Sequence, residues 1–277
     1  MKRREFIKTS VAASTLIGLS RAETEGRPAS DSASAKHREY YELRVYHLKS
    51  DADRPLLDTY LSKALIPALN RLGSKPVGVF VHQERAGTVQ PTEVTDPSAV
   101  LVLIPYPNIE EYGGATARVN ADTEYQSAGA EYLNSPKTHP AFERIDSWLM
   151  RAFAGMPKVE APAYCQQRKP RMFEMRTYES YSELKALKKM EMFNSGEIQL
   201  MRDVGLGPIF YGQALIGSNL PHLTYMLSAE DQAAHTKHWD VFKDHPTWIK
   251  LKNDPQYADT VSKITNRFLV PTAYSQI

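Results

Sequence analysis

The sequence Tyr-Glu-Leu-Arg-Val-Tyr at residues 41–46 recurs as Phe-Glu-Met-Arg-Thr-Tyr at residues 173–178, 132 positions further along the chain. Apolar and polar residues alternate in both stretches, which is the pattern of a β-strand with two different faces. At the same offset Gly73 corresponds to Gly205. An internal repeat of this length predicts two copies of one structural unit.

Each copy predicts the order strand, helix, strand, strand, helix, strand. In the first copy the helix spans about residues 54–72, with leucines at helical spacing, and Gly73 follows where a helix commonly ends. The later strands are predicted at residues 77–82, 100–104 and 148–153, and in the second copy at 208–215, 223–227 and 264–270. This order predicts an α+β fold of two tandem ferredoxin-like modules, in which each sheet covers the free face of the other.

The domain boundaries follow from the repeat. The modules are predicted at residues 39–154 and 170–277, joined by a proline-containing linker at 155–169. The first module is longer because of insertions near residues 87–97 and 113–135.

The N-terminus predicts export. Arg3-Arg4 precedes Phe-Ile-Lys, a short apolar run and a small-x-small cleavage site, so residues 1–22 are interpreted as a twin-arginine signal peptide. Residues 23–38 have the composition of a disordered linker. These features predict a periplasmic or secreted protein without a stable membrane span once the signal is removed. The alternatives are a basic tail with a chance Arg-Arg pair and an uncleaved signal that remains as an anchor.

Composition narrows the possible functions. The chain has 277 residues, 42% of them hydrophobic, and a formal net charge of +2. Its basic residues are interspersed with acidic ones, which argues against nucleic-acid binding. Cys165 is the single cysteine, so no disulfide can form within the chain.

The chain resembles the NIPSNAP family. The resemblance rests on the Glu-x-Arg-x-Tyr strand in both copies, the following helix that ends before Gly-x-x-Pro, and the tryptophan-rich helix with His238-Trp239-x-x-Phe242 and Pro246-x-Trp248. It implies a dimeric α/β-barrel fold, here as a pseudo-dimer within one chain. It implies no particular catalytic residues, because the wider fold group includes oxygenases, isomerases, haem-binding enzymes and simple ligand binders.

The polar face of the repeated strand supplies the candidate ligand site. If Leu43, Val45 and Met175 face the helices, the polar side chains point into the barrel. Arginine could then bind a carboxylate and tyrosine could donate a hydrogen bond. The simpler interpretation is a structural ion-pair network. The candidate residues are Glu42, Arg44, Tyr46, Glu174, Arg176 and Tyr178.

Other residues give weaker signals. His235 and His238 have a spacing that could place two imidazoles near one metal or haem, but Trp239 and Phe242 on the same helix favour packing. Nucleotide-binding glycine loops and the serine-hydrolase elbow are absent from the sequence. No cofactor is indicated by a motif.

Two hypotheses of function remain from the sequence. The first is a module that binds a small-molecule ligand or a partner. The second is a small-molecule enzyme of the dimeric α/β-barrel group, of the cofactor-independent oxygenase or isomerase type. A homo-oligomer is compatible with both.

Overall fold

A computed structural model describes residues 38–83 and 96–277. The predicted signal peptide, nearly all of the N-terminal linker and most of the first insertion therefore lie outside the described residues. The eight strands are β1 (Tyr40–His47), β2 (Gly78–His82), β3 (Val100–Tyr106), β4 (Arg144–Ala152), β5 (Met172–Glu179), β6 (Gly207–Ile216), β7 (His222–Ala229) and β8 (Lys263–Pro271).

The strands form one closed antiparallel barrel in the order β1-β3-β2-β8-β5-β7-β6-β4. In the first half β1 lies between β3 and β4, and in the second half β5 lies between β7 and β8 in the same way. The halves meet where β2 pairs with β8 and where β4 pairs with β6. The predicted α+β class is confirmed, and closure leaves the barrel without a free sheet edge.

Helices pack on the outer surface of the barrel. In the first half, α1 (Arg54–Tyr60) continues through a π-helical turn (Leu61–Leu65) into α2 (Ile66–Arg71). In the second half, α7 (Glu183–Met192) continues through a π-helical turn (Phe193–Glu197) into α8 (Ile198–Asp203). The remaining helices are α3 (Ile109–Asn120), α4 (Thr123–Ala128), α5 (Ala130–Leu133), α6 (Ala163–Gln166), α9 (Gln232–Asp244) and α10 (Pro246–Lys252).

The interior of the barrel is largely apolar. Tyr41, Leu43 and Val45 from β1 pack there against Phe173 and Met175 from β5 in one cluster that also draws on β2, β3, β4, β6, β7 and β8. The expectation that Leu43, Val45 and Met175 face the helices is therefore wrong. Both faces of a strand in a closed barrel covered by helices are buried, so alternation alone does not say which face turns inward.

The polar face of the repeated strand lies under the helices instead. Tyr46 belongs to the cluster beneath α1 and α2, and Tyr178 belongs to the cluster beneath α7 and α8. Glu42, Arg44, Glu174 and Arg176 share that outer side by the two-residue period of the strands. The candidate residues point away from the barrel interior.

The segment between the halves is partly ordered against the barrel. α6 lies within it, and Cys165 is a buried free thiol that packs on the interior cluster. Burial raises the pKa of this thiol, which makes it a poor nucleophile. Among the residues that the structure describes, no helix is long and apolar enough to cross a membrane.

Candidate functional site

A cavity of about 590 Å³ lies between the outer face of β5 and β8 and the helices α7, α9 and α10. Its volume is within the range of about 300–1,000 Å³ that is usual for small-molecule sites. Its lining consists of Glu174, Arg176, Tyr178, Lys189, Glu197, His235, Thr236, Trp239, Asp240, Phe242, Lys243, Trp248, Val261, Ile264, Asn266 and Phe268.

The start of α9 fixes two side chains over β5. Asp231 caps the helix by accepting a hydrogen bond from the backbone N–H of Ala234 at 2.8 Å. His235 and Trp239 follow one turn apart and therefore face the same way. His235 Nε2 lies 2.9 Å from a carboxylate oxygen of Glu174, and Trp239 Nε1 donates to the same oxygen at 2.9 Å.

Glu174 is a buried carboxylate, and both of its oxygens accept hydrogen bonds from neighbouring side chains. Its second oxygen accepts from Arg176 at 3.3 Å and from the amide of Asn266 at 3.4 Å. Burial alone would raise the pKa of Glu174, but the hydrogen bond from His235 and the charge of Arg176 hold it below its ordinary value. An ionised carboxylate can only accept, so His235 donates through Nε2.

Arg176 has donor capacity to spare. Its guanidinium lies 4.9 Å from the centre of the Trp239 ring and 5.5 Å from that of Tyr178, in cation–π geometry. The 3.3 Å contact with Glu174 is long for a charged pair. Its Nε is buried and has no hydrogen-bond partner within residues 38–83 and 96–277. A ligand with acceptor atoms in the cavity could use these N–H groups.

The π-helical turn brings a second cation to the cavity. Lys189 Nζ, from α7, lies 3.0 Å from the carboxylate of Glu197 and 4.6 Å from the centre of the Phe193 ring. Gly196 allows the kink in this turn with φ of 144°. Burial raises the pKa of Glu197, and the ion pair with Lys189 opposes part of that rise. π-helical turns inside helices are frequent at functional sites.

Aromatic rings form the walls of the cavity. Trp239 packs against Phe242 with ring centres 5.1 Å apart, and Phe242 packs against Trp248 at 4.8 Å. Phe268 from β8 contacts the ring of His235 at 5.5 Å. The cavity therefore combines cations at the sheet with flat apolar walls on the helices.

In the first half, the arginine and the glutamate of the same motif bind each other directly. Both oxygens of Glu42 accept from Arg44, at 2.5 and 2.9 Å. The carboxylate also accepts from Tyr106 at 3.1 Å and from Ser147 at 3.0 Å. This two-armed pair leaves Arg44 fewer free donors than Arg176 has.

The corresponding space in the first half is smaller. A cavity of about 160 Å³ lies beside Arg44, and Glu42 and Tyr46 do not line it. Tyr60 and Tyr132 stack nearby with ring centres 3.6 Å apart. The two copies of the motif thus share sequence and position but differ in the space beside them.

The sequence predicts no ligand role for Lys189 and Glu197, and it gives only weaker signals for His235 and Trp248. Lys189 lies in α7, one turn before the π-helical turn that ends at Glu197, and hydrophobic periodicity does not reveal such a turn. His235 was considered only as a metal or haem ligand. Trp248 belongs to the tryptophan-rich segment, where a packing role was favoured.

The two histidines of α9 do not converge. His238 lies against Gly205, where an added Cβ would approach its Nε2 to 2.9 Å, whereas His235 faces Glu174. Within the described ranges, no group of three or more His, Cys, Asp or Glu side chains is placed to hold a metal ion.

Comparisons with known proteins relate the second half of the chain to a family. The NIPSNAP family model matches residues 173–276. A NIPSNAP-like domain protein from Burkholderia xenovorans is 21% identical, with a TM-score of 0.34 over 38% of this chain and 88% of that chain. No curated protein matches the chain.

Solved structures also match most of the chain. One, from Lactobacillus acidophilus NCFM and provisionally assigned as a monooxygenase, is 10% identical and has a TM-score of 0.55 over 84% of this chain and 94% of that chain. Another with the same provisional assignment, from Fusobacterium nucleatum, is 10% identical with a TM-score of 0.50 over 85% and 93% of the two chains. At this identity the similarity concerns the fold alone. The cavity lies entirely within residues 173–276, the part of the chain that matches the NIPSNAP family model.

Proposed function

We propose that this protein binds a small organic anion with a flat apolar body in the cavity of its NIPSNAP domain. One observation carries the proposal: Arg176 lines a cavity of about 590 Å³ and keeps a buried Nε without a hydrogen-bond partner in the described part of the chain. The role of the candidate residues Glu174, Arg176 and Tyr178 in ligand binding follows from it.

Hydrogen-bond complementarity supports an anionic group on the ligand. The acceptors of Glu174 are already occupied by donors from the walls, and Glu197 is held by Lys189. Free capacity therefore lies on the donor side, at Arg176. A planar carboxylate can accept two parallel N–H bonds from a guanidinium.

The walls support an apolar, preferably aromatic body. Trp239 and Trp248 line the helix side of the cavity, and Phe268 lines the sheet side. A ring between them would gain stacking in addition to burial.

We also propose that each chain holds one such ligand, in a pseudo-dimer of two ferredoxin-like modules. The identical strand order of the two halves supports duplication. The smaller cavity and the two-armed pair of Arg44 with Glu42 support loss of binding in the first half. The first half then serves as the scaffold that closes the barrel.

Calorimetry with the full chain tests this proposal. Benzoate, 1-naphthoate and octanoate would be titrated as probes, with benzyl alcohol as the uncharged counterpart of benzoate. We expect an aromatic carboxylate to bind with a stoichiometry of one and benzyl alcohol to bind at least tenfold more weakly, which corresponds to about 1.4 kcal/mol.

Two matched variants locate the site. Arg176→Gln should abolish binding, whereas Arg44→Gln, the equivalent change in the first half, should leave the affinity within about twofold. Circular dichroism would establish that both variants are folded. Equal loss in both variants, or a stoichiometry of two, would contradict the proposal.

Catalysis is a second candidate, favoured by the Glu174–His235 contact of 2.9 Å at the cavity wall. A carboxylate that orients an imidazole is a common arrangement for a general base. The ligand identified by calorimetry would be incubated with the chain in air and recovered for mass spectrometry. Conversion that His235→Asn abolishes would support an enzyme, and unchanged recovery would support a binding protein.

The N-terminal sequence supports a role outside the cytoplasm, as a proposal that rests on residues 1–22 alone. Fractionation of cells that express the full chain tests it. We expect the protein in the periplasmic or secreted fraction, and Arg3→Lys combined with Arg4→Lys should retain it in the cytoplasm.

A further inference from the structure

One end of the barrel interior is polar. On β8, Thr265 and Arg267 share the inward face with Leu269, which belongs to the interior cluster. On β5, Thr177 continues the inward face of Met175. This end lies on the opposite side of the sheet from the NIPSNAP cavity, because Asn266 and Phe268 face that cavity from β8.

Two small cavities meet at Arg267. The first has a volume of about 60 Å³, and its lining includes Trp148, Thr177, Thr224 and Thr265. The second has a volume of about 30 Å³, and its lining includes His47 and His82. A water molecule needs roughly 10–15 Å³ measured in this way, so the first cavity can hold an ion of a few atoms.

Arg267 has no counter-charge among the described residues. Within residues 38–83 and 96–277 its guanidinium takes part in none of the hydrogen bonds or ion pairs, and burial lowers its pKa with no carboxylate to oppose that effect. Each cavity has one carboxylate in its lining, and each of these carboxylates already contacts a base: Asp96 binds His47 at 2.6 Å, and Glu179 faces Lys263 at 3.9 Å. A half-buried charge without a partner is destabilising.

Neutral polar groups line the two cavities. In the first, the hydroxyls of Thr177 and Thr224 lie 2.8 Å apart, and Thr224 Oγ1 also lies 3.4 Å from Nδ1 of His222. When Thr224 donates to Thr177, the hydroxyl of Thr177 keeps a proton for a ligand. His82 Nδ1 is buried without a hydrogen-bond partner in the described part of the chain. Burial lowers the pKa of His82 and of His222, so both imidazoles are neutral at pH 7.

We propose that this end of the barrel is a binding site for a small monoanion, of a size between chloride and acetate, with Arg267 as its counter-charge. The threonine hydroxyls that line the first cavity supply the remaining hydrogen bonds. The site is separate from the NIPSNAP cavity, and neither depends on the other for its ligand.

Thermal melting of the full chain at constant ionic strength tests the site. Sodium chloride, bromide and formate are compared with sodium gluconate, whose anion is too large for the first cavity. We expect Tm to rise by about 2 °C or more in the small anions, as for any ligand that binds the folded state. Arg144→Met, at an exposed arginine, should respond as the parent does.

Arg267→Met separates an anion site from a structural role. The variant should lose the response to anions and should melt at or above the Tm of the parent in gluconate, because it removes a half-buried charge that has no partner in the described part of the chain. A lower Tm in gluconate, a retained response or an unresponsive parent would overturn the proposal. Should the variant fail to fold, crystals of the parent in bromide decide: an anomalous peak within about 4 Å of the guanidinium supports the site, and its absence overturns it.

Discussion

At the scale of single residues, one Glu-x-Arg motif is used in two ways. In the first half the arginine neutralises the glutamate, and Arg44 holds Glu42 with two hydrogen bonds. In the second half His235 and Trp239 bind one oxygen of Glu174. Arg176 makes one long bond to the other oxygen and lines the cavity. The difference comes from α9, since only the second copy has an imidazole and an indole over the strand.

Alanine variants should reveal the two roles. We expect Arg44→Ala to lower the free energy of unfolding by about 3 kcal/mol, because it leaves a buried carboxylate without its ion pair. Arg176→Ala should lower it by only about 1 kcal/mol, because Glu174 keeps its bonds to His235 and Trp239. Urea unfolding measures both values. A larger loss for Arg176→Ala would show that the second arginine is the structural one.

The lowered pKa of Glu174 predicts how stability depends on pH. A carboxyl whose pKa is lower in the folded state adds stability above its unfolded pKa and loses it as the pH falls through the folded value. Glu174→Gln should therefore be less stable than the parent by about 2 kcal/mol at pH 7. The difference should narrow steadily below about pH 4. A difference that stays constant from pH 7 to pH 3 would contradict this assignment.

At the scale of elements, the sequence predicts where the strands and helices lie along the chain. It does not predict which face of a strand turns toward the barrel interior. Alternation along residues 41–46 and 173–178 marks a strand with two kinds of face. It does not say which face turns inward, because the barrel interior and the helix side both take apolar residues. Tyr46 and Tyr178 illustrate this: both lie in apolar clusters beneath helices. The sequence does not predict the cavity either, because the π-helical turn that brings Glu197 to Lys189 leaves no signal in the hydrophobic pattern.

The repeated glycines offer a matched test of the elements around them. Gly73 and Gly205 both have positive φ, 86° and 88°. An added Cβ at Gly73 meets open space, whereas at Gly205 it approaches His238 Nε2 to 2.9 Å. We expect Gly73→Ala to reduce the free energy of unfolding by about 1 kcal/mol through backbone strain. Gly205→Ala should lose about 1 kcal/mol more through the clash.

A second substitution isolates the clash. Gly205→Ala combined with His238→Ala should be destabilised, relative to His238→Ala alone, by only the amount that Gly73→Ala loses. Denaturant unfolding of the four variants measures the coupling. If the double variant keeps the full loss, the contact with His238 is not its cause.

At the scale of the whole molecule, closure of the barrel makes the halves interdependent. The interior cluster combines residues of both halves, such as Tyr41 with Phe210, whose ring centres are 5.3 Å apart. Closure also relies on the seams of β2 with β8 and of β4 with β6. The internal repeat predicted that two copies would cover one another, and the resemblance implied a barrel. Which edge strands pair at each seam is seen only in the structure.

The equivalence of the seams predicts how the second half behaves alone. In the barrel, β6 pairs with β4, the first-half equivalent of β8, and β8 pairs with β2, the equivalent of β6. Two copies of residues 170–277 could therefore pair β6 with β8 at both seams and bury the face that carries Phe173 and Met226. We expect this fragment to be a homodimer by size-exclusion chromatography with light scattering, because a monomer would expose that apolar face and two strand edges. Met226→Lys, which places a charge at the centre of the shared face, should prevent dimerisation. A stable, folded monomer of the unsubstituted fragment would show that closure between two modules is not what stabilises the sheet.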